Sequence, residues 1–304
     1  MRGWVLSVLL IFLFAACGKS DKQTGSKKIG VTLLTRTDQF YKDLEEGLVA
    51  AAKQENFKLI IVAGEWDIGR QISQIEDFVT QKVDAIIVCP VDSRGIGKGI
   101  KAANAGRIPV FTADIAALEG EVVCHIASDN VAGGKLAGEY LAKLLNGKGQ
   151  VAIIDQPIVT STLDRVQGFR EALAQYPEIE IVKDVNGDGV RDRAMQAAAD
   201  ILQAHPNLNA IFGINDDSAL GALDAVEDFN RAEVIIIGYD ATPEARDAIR
   251  RDRPLKADVV QYPRRIGEQT IAMIAQYFRG EQVPAVVPVA VGIVDKTSLQ
   301  EASQ

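Results

Sequence analysis

The chain has 304 residues, 47% of them hydrophobic and 24% charged, with a formal net charge of −8. That length suits two domains rather than one core, and that composition excludes a mainly disordered chain. An acidic balance without a basic block also excludes nucleic-acid binding, because phosphate neutralisation needs clustered Lys and Arg.

At the N-terminus Arg2 precedes the apolar run Trp4–Ala16. The run is too short and ends too abruptly for a membrane-spanning helix, so residues 1–16 read as a signal peptide. It ends in Leu13-Phe14-Ala15-Ala16-Cys17. Small residues before a cysteine are similar to a bacterial lipobox, with Phe14 where Leu is usual. Cys17 is then the lipidated first residue of the mature protein, and polar residues 17–27 form its tether. An exported protein, periplasmic or on the cell surface and attached to the membrane by a lipid anchor, is expected.

From Lys28 short β-rich runs alternate with amphipathic stretches. Strands are expected at 29–34, 58–63, 85–89, 109–112, 122–127, 151–154, 179–185, 210–213 and 234–238. Helices are expected at 40–54, 69–81, 94–105, 136–145, 164–175 and 192–204. Ile72, Ile75, Phe78 and Val79 fall on one helical face. Ala85-Ile86-Ile87-Val88 lacks polar alternation, as a parallel strand covered on both faces requires. The rhythm restarts after Asp129, which predicts an α/β fold of two doubly wound, Rossmann-like domains.

Ligands in such sheets bind at the carboxyl ends of strands. The polar residues there are Thr35–Tyr41, Pro90–Ser93, Ala113-Asp114, Asp155-Gln156, Asn215–Asp217, Tyr239-Asp240 and Gln261-Tyr262. Carboxylates and amides hydrogen-bond hydroxyl groups, and aromatic rings stack on sugar faces. Asp38, Asp92 and Asn215 serve equally well as helix N-caps. Asp184–Gly189 begins like a calcium loop, but its twelfth position is Met195, so a turn is expected. Trp66 is expected to pack on Ile68 or Ile72. Two histidines without a Cys/His cluster exclude a zinc site. No phosphate-binding glycine loop and no Ser/His/Asp arrangement is present.

Three segments carry a specific resemblance: Gly120–Gly138 (GEVVCHIASDNVAGGKLAG), Ala204–Ala222 (AHPNLNAIFGINDDSALGA) and Ile237–Pro243 (IGYDATP). They resemble the ribose-binding protein family, the type I periplasmic sugar-binding proteins, and the likeness runs from Lys28 nearly to the end. The resemblance implies an N-terminal domain of residues 28–128 plus 262–290 and a C-terminal domain of 129–261 plus 291–304. Three crossings near Asp129, Gln261 and Val291 would form the hinge. Cys89 and Cys124 then lie on the third and fifth strands, about 10 Å apart, and stay unbonded. The family role is binding without turnover, with no cofactor and no metal: a monomer captures a sugar-like ligand and passes it to an ABC transporter permease. A sensor presenting its closed form to a chemoreceptor or sensor kinase is the alternative. A DNA-binding regulator of the same fold is excluded, because it needs a helix-turn-helix where this chain has its signal segment.

The family's ligand contacts match Asp38, Phe40, Tyr41, Asp114, Asn215, Asp240 and Gln261, with Phe40 and Tyr41 as the sugar-sandwiching aromatics. Arg165 matches an arginine that supports a helix start and is expected to be the eighth ligand-binding residue. Ile115 and Leu163 stand where ribose binders carry arginines, and Asp188-Gly189 replaces an aromatic before Arg191. Losing two planar donor groups leaves acceptors in excess unless Arg36, Arg165 or Arg191 turns inward. A deoxy or alkyl-substituted sugar, a polyol or an amino sugar is therefore expected in preference to plain ribose.

Overall fold

A computed structural model describes residues 26–301. The signal segment, Cys17 and most of the tether lie outside the described residues. The chain runs through β1 (Lys28–Leu33), α1 (Gln39–Gln54), β2 (Lys58–Ala63), α2 (Ile68–Thr80), β3 (Ala85–Val88), α3 (Gly97–Ala105), β4 (Val110–Ala113) and β5 (Cys124–Ser128). It continues with α4 (Asn130–Leu144), β6 (Lys148–Asp155), α5 (Thr160–Leu173), β7 (Glu178–Asn186), α6 (Arg191–Ala204), β8 (Leu208–Gly213), α7 (Asp216–Asp228), β9 (Ile235–Asp240), α8 (Pro243–Arg250) and β10 (Leu255–Val260). It closes with α9 (Pro263–Phe278), β11 (Val286–Val289), β12 (Gly292–Asp295) and α10 (Lys296–Glu301).

These strands form two six-stranded sheets, ordered β11-β5-β4-β3-β1-β2 and β12-β10-β9-β8-β6-β7. Every ladder is parallel except that between β10 and β12. The inner strands are apolar on both faces because helices cover both; all four residues of β3 are buried. Late in the chain, β11 joins the first sheet and β12 the second. The backbone therefore passes between the sheets three times: after β5, after β10 and between β11 and β12. α9 returns to lie against α1.

Helix starts follow capping chemistry. Asp38, Asp67, Asp129, Asn215 and Thr242 each accept a backbone N–H from the first turn that follows. α4 starts at Asn130 rather than Leu136, and α5 at Thr160 rather than Asp164. Gly133 and Gly134 mask the start of α4 in the sequence, since glycine disfavours helix. Packing explains Gly134: a Cβ there would lie 2.0 Å from the Arg165 carbonyl oxygen on α5. α3 starts later than expected, at Gly97, because Asp92 first closes a turn by accepting from the Arg94 and Gly95 amides. The strands β10 to β12 carry little periodic signal of their own and are completed by pairing across the sheets.

Cys89, directly after β3, and Cys124, in β5, are buried free thiols, and β4 lies between β3 and β5. His125 sits in β5 with Nδ1 2.9 Å from the Thr112 hydroxyl; burial pushes its pKa down to about 4. In the calcium-like loop Asp184 pairs with Arg170 and Asp188 with Arg193. The Asn186 amide also donates to Asp188 at 2.7 Å, so the loop is a side-chain-bonded turn. No described helix is long and apolar enough to cross a membrane.

Candidate functional site

Strand ends of both sheets face one cavity. From the first sheet's side it is lined by Leu34, Asp38, Phe40, Tyr41, Trp66, Asp114 and Ile115. From the second come Gln156, Val159, Ser161, Thr162, Arg165, Asn215 and Asp240, with Gln261 at a chain crossing. All eight ligand-contact candidates from the sequence reach this space. It opens into a wider region that shares Asp38, Trp66, Asn215 and Asp240 and adds Asp217 and Glu244.

Asp38 and Asn215 cap helices and line the cavity at once. Asp38 accepts from the Phe40 amide at 2.9 Å. Asn215 accepts from the Ser218 amide at 2.9 Å and donates to the Gly189 carbonyl at 3.0 Å. Asp114 accepts from the Tyr41 hydroxyl at 2.7 Å. Asp240 accepts from the Gln261 amide group at 2.6 Å and from the Asp216 backbone N–H at 3.2 Å. Gln261 Oε1 has no protein donor and is buried. Asp114 (φ 68°) and Asp240 (φ 121°) hold left-handed backbone conformations that ordinary residues avoid; such strain persists only where its surroundings enforce it.

Among the described residues Arg165 is the one guanidinium that lines the cavity. Its Nε donates to Asn130 Oδ1 at 2.9 Å and its Nη1 to the Ile214 carbonyl at 2.8 Å. The guanidinium carbon lies 3.9 Å from the Tyr239 ring centre, and Nη1 is 3.8 Å from Asp240 Oδ1. It thus braces the first residue of α4 and faces the acidic cavity together. Burial raises the Asp114 pKa to about 6, against the opposing effects of the Arg165 charge and the Tyr41 hydrogen bond. Burial pushes Asp240 well above the usual carboxylate range, again opposed by Arg165. Asp38 is raised by burial as well.

Several expectations are corrected. Leu163 does not line the cavity: it is 43% exposed on α5, and Ser161 and Thr162 occupy the facing positions. Trp66 is 42% exposed and lines the cavity and the wider region beyond it. Glu65 and Trp66 both hold left-handed backbone, with φ of 50° and 64°. Phe40 and Tyr41 meet edge to face, 5.2 Å apart at 78°, so they form one wall and not two parallel plates. Arg36 pairs with Glu45, and Arg191 with Asp224 and Glu244; neither turns inward. Asp92 caps a turn and Ser93 bonds Thr160, both outside the cavity. The start of α5 was missed because the post-strand rule stopped at Gln156; the short Pro157–Val159 turn was the available signal.

A family model described as a periplasmic binding protein domain matches residues 29–282. The ribose import binding protein RbsB of Bacillus subtilis is 33% identical over 289 residues, covering 92% of this chain and 93% of that protein. The xylitol-binding protein of Mycolicibacterium smegmatis is 30% identical over 239 residues, 77% of this chain and 68% of that one. An ABC transporter periplasmic solute-binding protein from Actinobacillus succinogenes, solved with D-allose, superposes with a TM-score of 0.84 at 28% identity, covering 91% of this chain and 100% of that chain. These relatives are solute-binding proteins and not enzymes.

Proposed function

This chain belongs to the periplasmic binding protein family, in its type I sugar-binding form, and on that premise we propose that it is the extracytoplasmic solute-binding component of an ABC importer. The observation that carries this reading is the polar cavity shared by the two sheets. A ligand there would contact Asp114 and Tyr41 on one side and Arg165, Asn215 and Asp240 on the other, with Gln261 at a crossing. Ligand contacts to both sides favour a closed arrangement, which is the signal a permease reads. The same reading assigns residues 28–128 plus 262–290 to one domain, 129–261 plus 291–304 to the other, and a lipid anchor to Cys17.

The ligand class we propose is a polyol, an amino sugar or a deoxy or alkyl-substituted sugar, in preference to plain ribose. One guanidinium faces three carboxylates, Asp38, Asp114 and Asp240, and Ile115 presents only methyl and methylene groups. Each sugar hydroxyl buried without a partner costs about 1–3 kcal/mol. The named ligands of the relatives, ribose, xylitol and allose, support the size and the polyhydroxyl character.

Calorimetry on ligand-stripped protein with D-ribose, xylitol, D-allose, myo-inositol and D-glucosamine tests the reading. At least one polyol or amino sugar should bind more tightly than ribose. Asp240→Ala should abolish that binding while circular dichroism shows an unchanged fold. Ribose as the tightest ligand, indifferent to Asp240→Ala, would defeat the proposal.

A further inference from the structure

Under the cavity floor α7 and β10 bring two buried aspartates, Asp216 and Asp258, beside the half-buried Asp240 that ends β9 and lines the cavity. Asp240 has Arg165 nearby, but no ion pair to Asp216 or Asp258 forms among the described residues. Their hydrogen bonds can be accounted for oxygen by oxygen. Asp216 Oδ2 accepts from the Thr242 amide at 2.6 Å, and Asp258 Oδ1 from the Ala241 amide at 3.0 Å. The remaining oxygens, Asp216 Oδ1 and Asp258 Oδ2, are buried and have no protein donor. Because the two carboxylates accept from consecutive amides of one turn, they lie side by side, each with one buried oxygen unpaired. Two carboxylates are acceptor-only and would repel; one proton between them turns the contact into a strong hydrogen bond.

Both aspartates hold the same turn. Ala241 and Thr242 follow directly on Asp240, and φ is 121° at Asp240 and 56° at Ala241. The amides after this strained residue are therefore clamped by the pair. Asp258 is wedged against β9, where only glycine leaves room: a Cβ on Gly238 would lie 2.5 Å from Asp258 Oδ2.

We propose that Asp258 is a positioning residue of the cleft, sharing a proton with Asp216 so that the pair fixes the 240–242 turn and aims Asp240 into the cavity. This rests on the reading of Asp240 as a ligand anchor. Burial pushes Asp258 well above the usual carboxylate range, and the neighbouring Asp216 and Asp240 push it further. Burial raises Asp216 as well, and Asp38 adds to it across the cleft. Arg165 acts on Asp240, and Asp217 next to Asp216 on α7 is itself raised to about 6. A proton held above its unfolded value stabilises the fold fully at low pH, and that stability is lost as pH rises through the folded value.

The test compares Asp258→Asn, which keeps a permanent donor toward Asp216, with Asp258→Ala, which keeps none. Infrared spectra of ligand-free protein at pH 8 should show a protonated-carboxyl band that Asp258→Asn diminishes. Above about pH 5 the folded-to-unfolded ratio of wild type should fall about tenfold more per pH unit than that of Asp258→Asn, the signature of one retained proton. The Ala241 and Thr242 amide NMR signals should shift in Asp258→Ala and stay near wild type in Asp258→Asn. In titrations with D-ribose, xylitol and D-allose, Asp258→Ala should weaken whichever binds by at least tenfold, and Asp258→Asn should retain it. Equal bands and equal pH slopes in wild type and Asp258→Asn would overturn the shared proton; unmoved amides in Asp258→Ala would overturn the positioning role. Failure of the anchor reading has a separate mark: Asp240→Ala would bind as wild type while the Asp258 band remained.

Discussion

Replacing Arg165 with Met removes the cation that faces the cavity and leaves its partners buried. Two acceptors, Asn130 Oδ1 and the Ile214 carbonyl, lose donors now at 2.9 and 2.8 Å. Each such loss costs about 1–3 kcal/mol. The stacking on Tyr239 contributes about 0.5–2 kcal/mol more. Asp114 and Asp240 also lose the charge that favours their ionised forms, and breaking a buried pair costs about 3–5 kcal/mol. These contributions overlap, so the net loss expected at pH 8 is about 3–5 kcal/mol. A chain of this size then melts roughly 6–20 °C lower. The pH dependence has a definite sign. Both carboxyls have folded pKa values above their unfolded ones, Asp114 at about 6, and losing Arg165 raises them further. Their stabilisation is complete at low pH and is lost as pH rises through the folded values. The deficit of Arg165→Met should therefore be largest at pH 8 and shrink at pH 5.5, where protonated carboxyls no longer need the cation. Thermal and urea unfolding followed by circular dichroism at both pH values measures this. A deficit under about 1 kcal/mol, or one equal at the two pH values, would refute the reasoning.

Gly134→Ala should destabilise the fold by about 1–3 kcal/mol in urea unfolding, because its methyl would lie 2.0 Å from the Arg165 carbonyl oxygen and 2.8 Å from the Phe169 amide nitrogen. Since the contact is the backbone of Arg165 itself, ligand affinity should drop as well; unchanged stability would mean that α4 and α5 are less closely packed than described. Metabolic labelling with a fatty-acid analogue should mark wild-type protein and spare Cys17→Ser. Equal labelling of the two would remove the lipid-anchor proposal.

Local chemistry made much of this protein legible in its sequence. Unbroken apolar runs such as Ala85–Val88 announce strands covered on both faces, and Asp38 and Asn215 announce helix starts that need an acceptor. Because a doubly wound sheet gathers its strand ends at one edge, residues just after strands converge there, and the eight candidates reach one cavity. Other features were decided only by contacts between distant segments. Which of Arg36, Arg165 and Arg191 faces the cleft depends on where Glu45, Asp224 and Glu244 come to lie. Only Arg165 finds its partners around the cavity, on α4, after β8 and on β9. The start of α4 was hidden because Gly133 and Gly134 weaken helix locally, and close helix packing overrides that preference. The Asp216–Asp258 contact had no local signal at all: the residues are far apart in sequence, and parallel pairing of β8, β9 and β10 makes them neighbours. Capping and periodicity act over a few residues, whereas charge partners and close approaches are set by the fold as a whole.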